Sequence, residues 1–127
     1  MPPSQPSLAI SFLYYRDLAR AEAFYRDVLG FELVIDQGWA KILKIADGAH
    51  IGLVDEVRGM NSWQADKCVQ VCMRVPNVDD WYHWAQSENL TNLSPMFQNE
   101  EIGIRAFVFE DTEGYQIEIQ SPTREGA

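Results

Sequence analysis

The hydrophobic and polar positions of this chain follow the same order twice. Residues 8–16 are rich in β-branched and aromatic side chains and predict a strand, and residues 17–30 carry an apolar stripe at helical spacing. Three further strand-like segments cover residues 31–35, 39–45 and 50–54, separated by turn-forming Gly and Asp residues. The first half therefore predicts a βαβββ module.

The second half repeats this plan. Residues 68–75 predict a strand, and Asn77 is placed to cap a helix with the same apolar spacing as the first. A weak strand interrupted by proline lies within residues 90–97, followed by stronger strands at 104–109 and 115–120. Two halves with one order of elements indicate a duplicated module.

The same pattern sets the domain boundaries. We predict one α+β domain over residues 8–122, because neither terminus shows periodicity. The domain consists of module one at 8–55, a linker at 56–66 and module two at 67–122. A flexible tail at 1–7 precedes it, and a tail at 123–127 follows it.

Composition narrows the classes of function. The chain has 127 residues and a formal net charge of −9, which argues against binding to nucleic acid or to an anionic membrane surface. No apolar run approaches the ~18 residues that a membrane span requires, and the start lacks the features of a signal peptide. Cys68 and Cys72 are expected to be buried, reduced thiols, which fits a cytoplasmic protein.

Three segments carry a resemblance to a known family. They are YRDL at residues 15–18, FYRDVLGF at 24–31 and FEDTEGYQIEI at 109–119. With them the chain resembles the vicinal oxygen chelate superfamily of glyoxalases, bleomycin resistance proteins and extradiol dioxygenases. The resemblance implies two βαβββ modules forming a half-open cup of mixed sheets lined by eight strands. It does not specify an activity, because this fold hosts many chemistries.

The resemblance also identifies where a metal would be held. The family's metalloenzymes bind a divalent ion through one ligand from the first and fourth strands of each module, and these positions correspond to Ile10, Gly52, Gln70 and Glu118. Ile10 and Gly52 have no side-chain donor, so we expect no enzyme-type metal site and no cofactor. The alternative is a divalent metal at a displaced triad of His50, Gln70 and Glu118; otherwise His50 is a polar lining residue.

The remaining cup positions suggest a small-molecule site with aromatic walls and a few polar groups. Gly52 is expected to leave room there, and Trp63 is a further candidate wall. Glu118, the only catalytic candidate if there is any, would need a partner such as Arg105 or a ligand cation. The full ligand-binding set that we predict is Phe12, Tyr14, Trp39, His50, Gly52, Gln70, Cys72, Gln116 and Glu118.

Three functions remain open from the sequence. The first is a metal-free protein that binds an aromatic compound, as the antibiotic-resistance members do; a narrower version of this hypothesis has a cationic aromatic ligand. The second is a lyase, isomerase or ring-cleaving dioxygenase with an altered metal site, and the third is a non-catalytic structural or regulatory module. A homodimer is expected, because half-open cups leave sheet edges that a symmetry mate can cover.

Overall fold

The computed structural model describes residues 1–127, which divide into two compact units. Unit one is Met1–Gln64 and unit two is Ala65–Ala127. Each contains one βαβββ module, so the predicted α+β class with two such modules is confirmed. No helix has both the length and the apolar character needed to cross a bilayer.

Unit one forms a four-stranded mixed sheet with a helical segment. Its strand order is β1-β4-β3-β2, with β1 parallel to β4 and the other pairs antiparallel. The elements are β1 (Ile10–Tyr15), α1 (Leu18–Ala23), a π-helical turn (Phe24–Val28), β2 (Glu32–Asp36), β3 (Ala40–Ala46) and β4 (Ala49–Asp55).

The helical segment covers one face of this sheet. Asp17 caps α1 by accepting the Arg20 N–H at 3.1 Å, and the Tyr15 hydroxyl on β1 donates to the buried Tyr25 hydroxyl at 3.3 Å. The core therefore lies on the helix side of the sheet, where the fully buried side chains include Leu13, Tyr15, Tyr25, Leu43 and Leu53.

The end of the helical segment differs from the prediction. Instead of one continuous α-helix, the chain widens into a π-helical turn, in which the Leu29 N–H bonds to the Phe24 carbonyl at 3.2 Å. Tyr25 stays fully buried in this turn and stacks on Phe31 at a centroid distance of 6.3 Å. Apolar spacing alone could not distinguish the two helical forms, because both bury Tyr25. Gly30 then ends the segment with a φ of +75°.

Unit two repeats the architecture with the strand order β5-β8-β7-β6. Asn77 caps its helix by accepting the N–H groups of Asp79 and Asp80, as predicted. Tyr82 on that helix packs against Phe107 at a centroid distance of 5.0 Å. The elements are β5 (Gln70–Arg74), α2 (Val78–Ser87), β6 (Phe97–Asn99), β7 (Ile104–Glu110) and β8 (Gln116–Pro122).

Two expectations for unit two are wrong. Residues 90–97 form only an isolated bridge between Thr91 and Glu110, and a strand begins just at Phe97, because Pro95 has no N–H to donate to a ladder. Both cysteines are exposed rather than buried: Cys68 precedes β5, and Cys72 lies on the β5 face opposite the core.

The turn before β8 is held by Asp111 and Gly114. Asp111 is buried, and its carboxylate accepts the N–H groups of Glu113 at 2.9 Å and Tyr115 at 3.0 Å. Gly114 provides the positive φ, +92°, that the turn requires. This turn sets the start of β8 and hence which of its side chains face away from the core.

Candidate functional site

Unit one presents an apolar cavity on the sheet face opposite its helix. The cavity has a volume of about 230 Å³ and includes three residues of the predicted set, Phe12, Tyr14 and Trp39. Phe12 is 48% and Trp39 39% exposed, so both rings offer accessible faces. The full lining is Phe12, Tyr14, Gln37, Trp39, Ala40, Val54, Gly59 and Met60.

Strand alternation and one tight turn position these rings. On β1, Leu13 and Tyr15 point into the core, so Phe12 and Tyr14 point to the other face. Trp39 follows a turn in which the Gly38 N–H donates to the Asp36 carboxylate at 2.9 Å and Gly38 has a φ of +81°.

The segment after β4 completes the cavity. A Cβ added at Gly59 would lie 2.6 Å from Tyr14 Cε2 and 2.6 Å from Val54 Cγ1, so the backbone there passes directly over those two side chains. Asn61 Nδ2 donates to the Tyr14 hydroxyl at 3.3 Å, which holds the same segment on β1. Met60 lies between these two attachments and is 96% exposed, so it lines the cavity without being part of the core.

Gly52 does not leave the empty space that the sequence suggested. It pairs with Phe12 across β1 and β4. A Cβ at Gly52 would lie 2.4 Å from Phe12 Cδ1 and 2.5 Å from Cε1, so the aromatic ring already occupies that space. The expected gap is absent because the missing side chain allows the neighbouring ring to lie flat on the strand.

His50 and Trp63 lie outside the cavity lining. His50 is on the same strand face as Gly52, paired with Ile10 and Lys44, and its Nδ1 is buried without a hydrogen-bond partner. Trp63 instead packs on Arg16, whose guanidinium carbon lies 3.3 Å from the indole centroid.

Unit two presents a polar surface on the face of its sheet opposite α2. The parallel pairing of β5 with β8 places three pairs of side chains opposite each other on this face. Gln70 Nε2 donates to Gln116 Oε1 at 2.6 Å, and Cys72 Sγ lies 3.6 Å from Glu118 Oε2. We call these two pairs, together with the third pair Arg74 and Gln120, the polar ladder.

The third pair of the polar ladder is also bonded to the second. Arg74 donates through Nε and Nη2 to Gln120 Oε1, at 3.0 and 2.7 Å. Gln120 Nε2 in turn donates to Glu118 Oε2 at 2.5 Å. Both donors to Glu118, from Gln120 and Cys72, therefore bond to the same oxygen, and Oε1 accepts no hydrogen bond within the chain.

Arg105, one of the partners considered for Glu118, does not contact it. Its Nη2 forms an ion pair with Asp79 on α2 at 2.8 Å. Arg105 pairs with Ser121 on β8, whereas Glu118 pairs with Val108 on β7, so the two side chains point to opposite faces of the sheet.

Cys72 is electrostatically coupled to Glu118. Although the residue is exposed as a whole, partial desolvation of its thiol raises the pKa of Cys72 to about 11. The negative charge of Glu118 and its hydrogen bond add to this shift, and the nearby Arg74 opposes it. At neutral pH the group is therefore a thiol that can donate to the carboxylate. This chemistry disfavours Cys72 as a nucleophile.

A larger cavity of about 540 Å³ lies at one end of the polar ladder. Gln70 and Gln116 of the predicted set contribute to it, together with Glu110. The full lining is Ala65, Asp66, Lys67, Cys68, Val69, Gln70, Glu110, Gly114 and Gln116.

The side chains at the family's metal positions do not fit a divalent ion. In unit one, Ile10 and Gly52 offer no donor, and the Phe12 ring lies where a side chain of residue 52 would project. In unit two, the two positions offer only the Gln70 amide and the Glu118 carboxylate, whose Oε2 is already bonded to Gln120 and Cys72, which are too few oxygen ligands for a hard divalent ion. Neither unit contains a group of three or more His, Cys, Asp or Glu side chains arranged to hold a metal.

Comparison with known proteins identifies the family. The sequence model of the Glyoxalase/Bleomycin resistance protein/Dioxygenase superfamily matches residues 7–119, and the chain belongs to this superfamily. A search of curated protein sequences gave no significant match.

Solved structures show the same fold at low sequence identity. A lactoylglutathione lyase from Agrobacterium tumefaciens is 22% identical with a TM-score of 0.75, covering 99% of this chain and 100% of its own. The fosfomycin resistance protein FosX from Listeria monocytogenes is 17% identical with a TM-score of 0.73, covering 96% and 98%. TioX from Micromonospora sp. ML1 is 22% identical with a TM-score of 0.75, covering 92% and 99%. These neighbours differ in function, so they establish the fold and leave the activity open.

Several residues of these two surfaces were not in the predicted set. Gln37, Gly59 and Met60 belong to a turn and to the segment after β4, where no periodicity marks the direction of a side chain. Arg74 and Gln120 could have been found, because each follows a predicted residue by two positions on its strand and so shares its face.

Proposed function

We propose that this protein binds a planar aromatic compound without the help of a metal, and that a positively charged group on the compound is favoured. The observation that carries the proposal is the apolar cavity of unit one, with the accessible rings of Phe12 and Trp39 in its wall. Exposed aromatic surface of this kind is typical of ligand sites, where ring faces provide stacking and area for burial.

The size of the cavity fits the ring system of a small ligand. A cavity of about 150 Å³ accommodates one benzene molecule. The volume of about 230 Å³ is consistent with one or two fused rings. Most of the wall lies on β1, β3, β4 and the turn before β3, and the segment after β4 is attached to β1 by the bond from Asn61 to Tyr14. The site is therefore largely formed before a ligand arrives, which reduces the ordering cost of binding.

Two observations favour a positive charge on the ligand. Glu118 has one carboxylate oxygen that no group of the chain occupies, and the chain carries a net charge of −9. Trp39 already attracts a cation, since the Arg58 guanidinium carbon lies 5.9 Å from its ring centroid. In unit two we propose Glu118, through this unoccupied oxygen, as the polar anchor for a positively charged group.

The biological role that we propose is sequestration of a toxic compound in the cytoplasm. FosX, a structural neighbour, is by its name a resistance protein, and binding alone is sufficient for sequestration. The role requires no catalytic group, which agrees with side chains that do not fit a metal and with a Cys72 thiol that is protonated at neutral pH. This role remains part of the proposal.

A thermal-shift screen tests the proposal. Compounds sharing one planar ring system and carrying a positive, neutral or negative substituent should raise the melting temperature in that order, because a ligand that binds only the folded state stabilises it. Trp39→Ala should remove most of the shift. Val57→Ala is the control, since Val57 is 79% exposed in the same unit and outside the cavity lining. Equal shifts for the three charges would refute the charge preference, and no shift from any planar compound would refute the proposal.

A further inference from the structure

The polar ladder contains an arginine that contacts Glu118 only through another side chain. Arg74 presents Nε and Nη2 to one atom, Gln120 Oε1, and its Nη1 donates to the Ala127 oxygen at 2.5 Å. Gln120 is buried, with 8% of its surface exposed. Its amide group therefore has little access to solvent.

This geometry fixes the direction of the Gln120 amide. An amide oxygen accepts hydrogen bonds and the amide nitrogen donates them. Because Arg74 has only donors, the oxygen must face Arg74, and the nitrogen is then turned toward Glu118 Oε2. If the amide were reversed, its oxygen would face a carboxylate and its nitrogen would face a guanidinium, and both contacts would be repulsive.

We propose that Arg74 is a positioning residue for Glu118, acting through Gln120. The amide of Gln120 holds Glu118 Oε2, and Oε1 is thereby presented as the acceptor for a ligand donor. On the strands of this face, the charged groups are Arg74 on β5, Glu118 on β8 and Glu110 on β7, and Cys72 is a further titratable group. Asp66, Lys67 and Cys68 lie beyond the strands, in the lining of the larger cavity at the end of the polar ladder. This inference rests on the proposed role of Glu118 as the ligand anchor.

Positioning and simple charge make opposite predictions for a cationic ligand. If Arg74 acted only through its charge, removing it with Arg74→Met would strengthen binding of a cation, because one repulsive positive charge is lost. If Arg74 positions Glu118, the same change removes both bonds to the Gln120 amide oxygen, so that the Gln120 side chain is no longer held from two sides. Binding should then weaken by about threefold or more, a part of what one charged hydrogen bond contributes. Arg74→Lys retains donors for Gln120 Oε1 and should restore most of the affinity.

A double-mutant cycle tests the route through Gln120. Gln120→Met removes the amide and should weaken the binding of the planar cation found in the thermal-shift screen. Adding Arg74→Met to that variant should then change the affinity little, because the two residues act in series. Additive losses, or tighter binding by Arg74→Met alone, would overturn the proposal.

A spectroscopic measurement tests the positioning without any ligand. In wild-type protein, one side-chain amide proton of Gln120 should lie downfield of the other side-chain amides in an ¹H–¹⁵N spectrum, because it is bonded to a carboxylate; Gln120→Met provides the assignment. The downfield shift should be retained in Arg74→Lys and lost in Arg74→Met. Its absence from wild-type protein would overturn the proposal even if Arg74→Met failed to fold. If the shift is present but no planar cation binds, the proposed function fails while the positioning of Glu118 stands.

Discussion

Replacing Gly52 by Ala tests the contact between Gly52 and the Phe12 ring, which fills the space that the sequence had suggested would be open. The new Cβ would lie 2.4 Å from Phe12 Cδ1, 2.5 Å from Phe12 Cε1 and 3.2 Å from Ile10 Cγ2. Overpacking of this kind costs about 1–3 kcal/mol, and we expect the lower half of that range because Phe12 is 48% exposed and its ring can move outward. Replacing glycine within a strand recovers roughly 0.5–1 kcal/mol. The expected net effect is a destabilisation of about 0–1.5 kcal/mol, with a central value of about 0.75 kcal/mol.

The matched control is Gly52→Ala in a variant without the Phe12 ring, where the substitution should no longer destabilise the protein. In a Phe12→Ala background the ring is gone, and Gly52→Ala should then be neutral or stabilising by about 0.5 kcal/mol, with only a small adjustment at Ile10. Urea denaturation followed by circular dichroism gives the four free energies of unfolding. The same change in both backgrounds would refute the account, because it would mean that the Phe12 ring does not rest on Gly52.

Three further predictions follow from the two surfaces. Cys68 should react with iodoacetamide near neutral pH, whereas Cys72 should resist until the pH approaches its pKa of about 11. Glu118→Gln removes a negative charge that disfavours the thiolate and should lower the pKa of Cys72. Equal reaction rates of the two cysteines at neutral pH, followed by mass spectrometry, would contradict this prediction. Elemental analysis of protein purified without chelator should find no stoichiometric divalent ion. About one nickel, zinc, iron or manganese per chain would refute the metal-free proposal. His50→Ala would then test whether His50, Gln70 and Glu118 hold that ion. Light scattering at micromolar concentration should give a mass near that of two chains, and the mass of one chain would count against the proposed homodimer.

Much of the fold could be predicted because its signals are local. Asn77 was predicted as a helix cap from residue type and position, and its side chain makes the capping bonds. Asp17 makes the equivalent bond in unit one, and Gly30 and Gly114 adopt the positive φ that glycine favours at a helix end or in a turn. These signals depend on neighbours in the sequence.

The features that were missed depend on contacts between distant residues. The ring of Phe12 lies over Gly52 because β1 pairs with β4 in one register, and the sequence does not state which side-chain rotamer fills the gap. The partner of Glu118 was sought at Arg105, but the pairing of β7 with β8 places that arginine on the opposite face. For the candidate site, strand alternation identified the faces correctly, whereas partners and cavity walls required the three-dimensional register.

Calorimetric titration of wild-type protein and Glu118→Gln with the planar cation from the thermal-shift screen tests the central claim most directly. Gln keeps the shape of the side chain and removes its charge, so the free energy of binding should weaken by about 1.5–3 kcal/mol, the scale of a charged hydrogen bond. This corresponds to an increase in Kd of roughly tenfold or more. Glu100→Gln, at an exposed turn of the same unit, removes the same charge elsewhere and should leave the Kd unchanged. Equal affinity of wild-type protein and Glu118→Gln would contradict the claim that this carboxylate anchors the ligand.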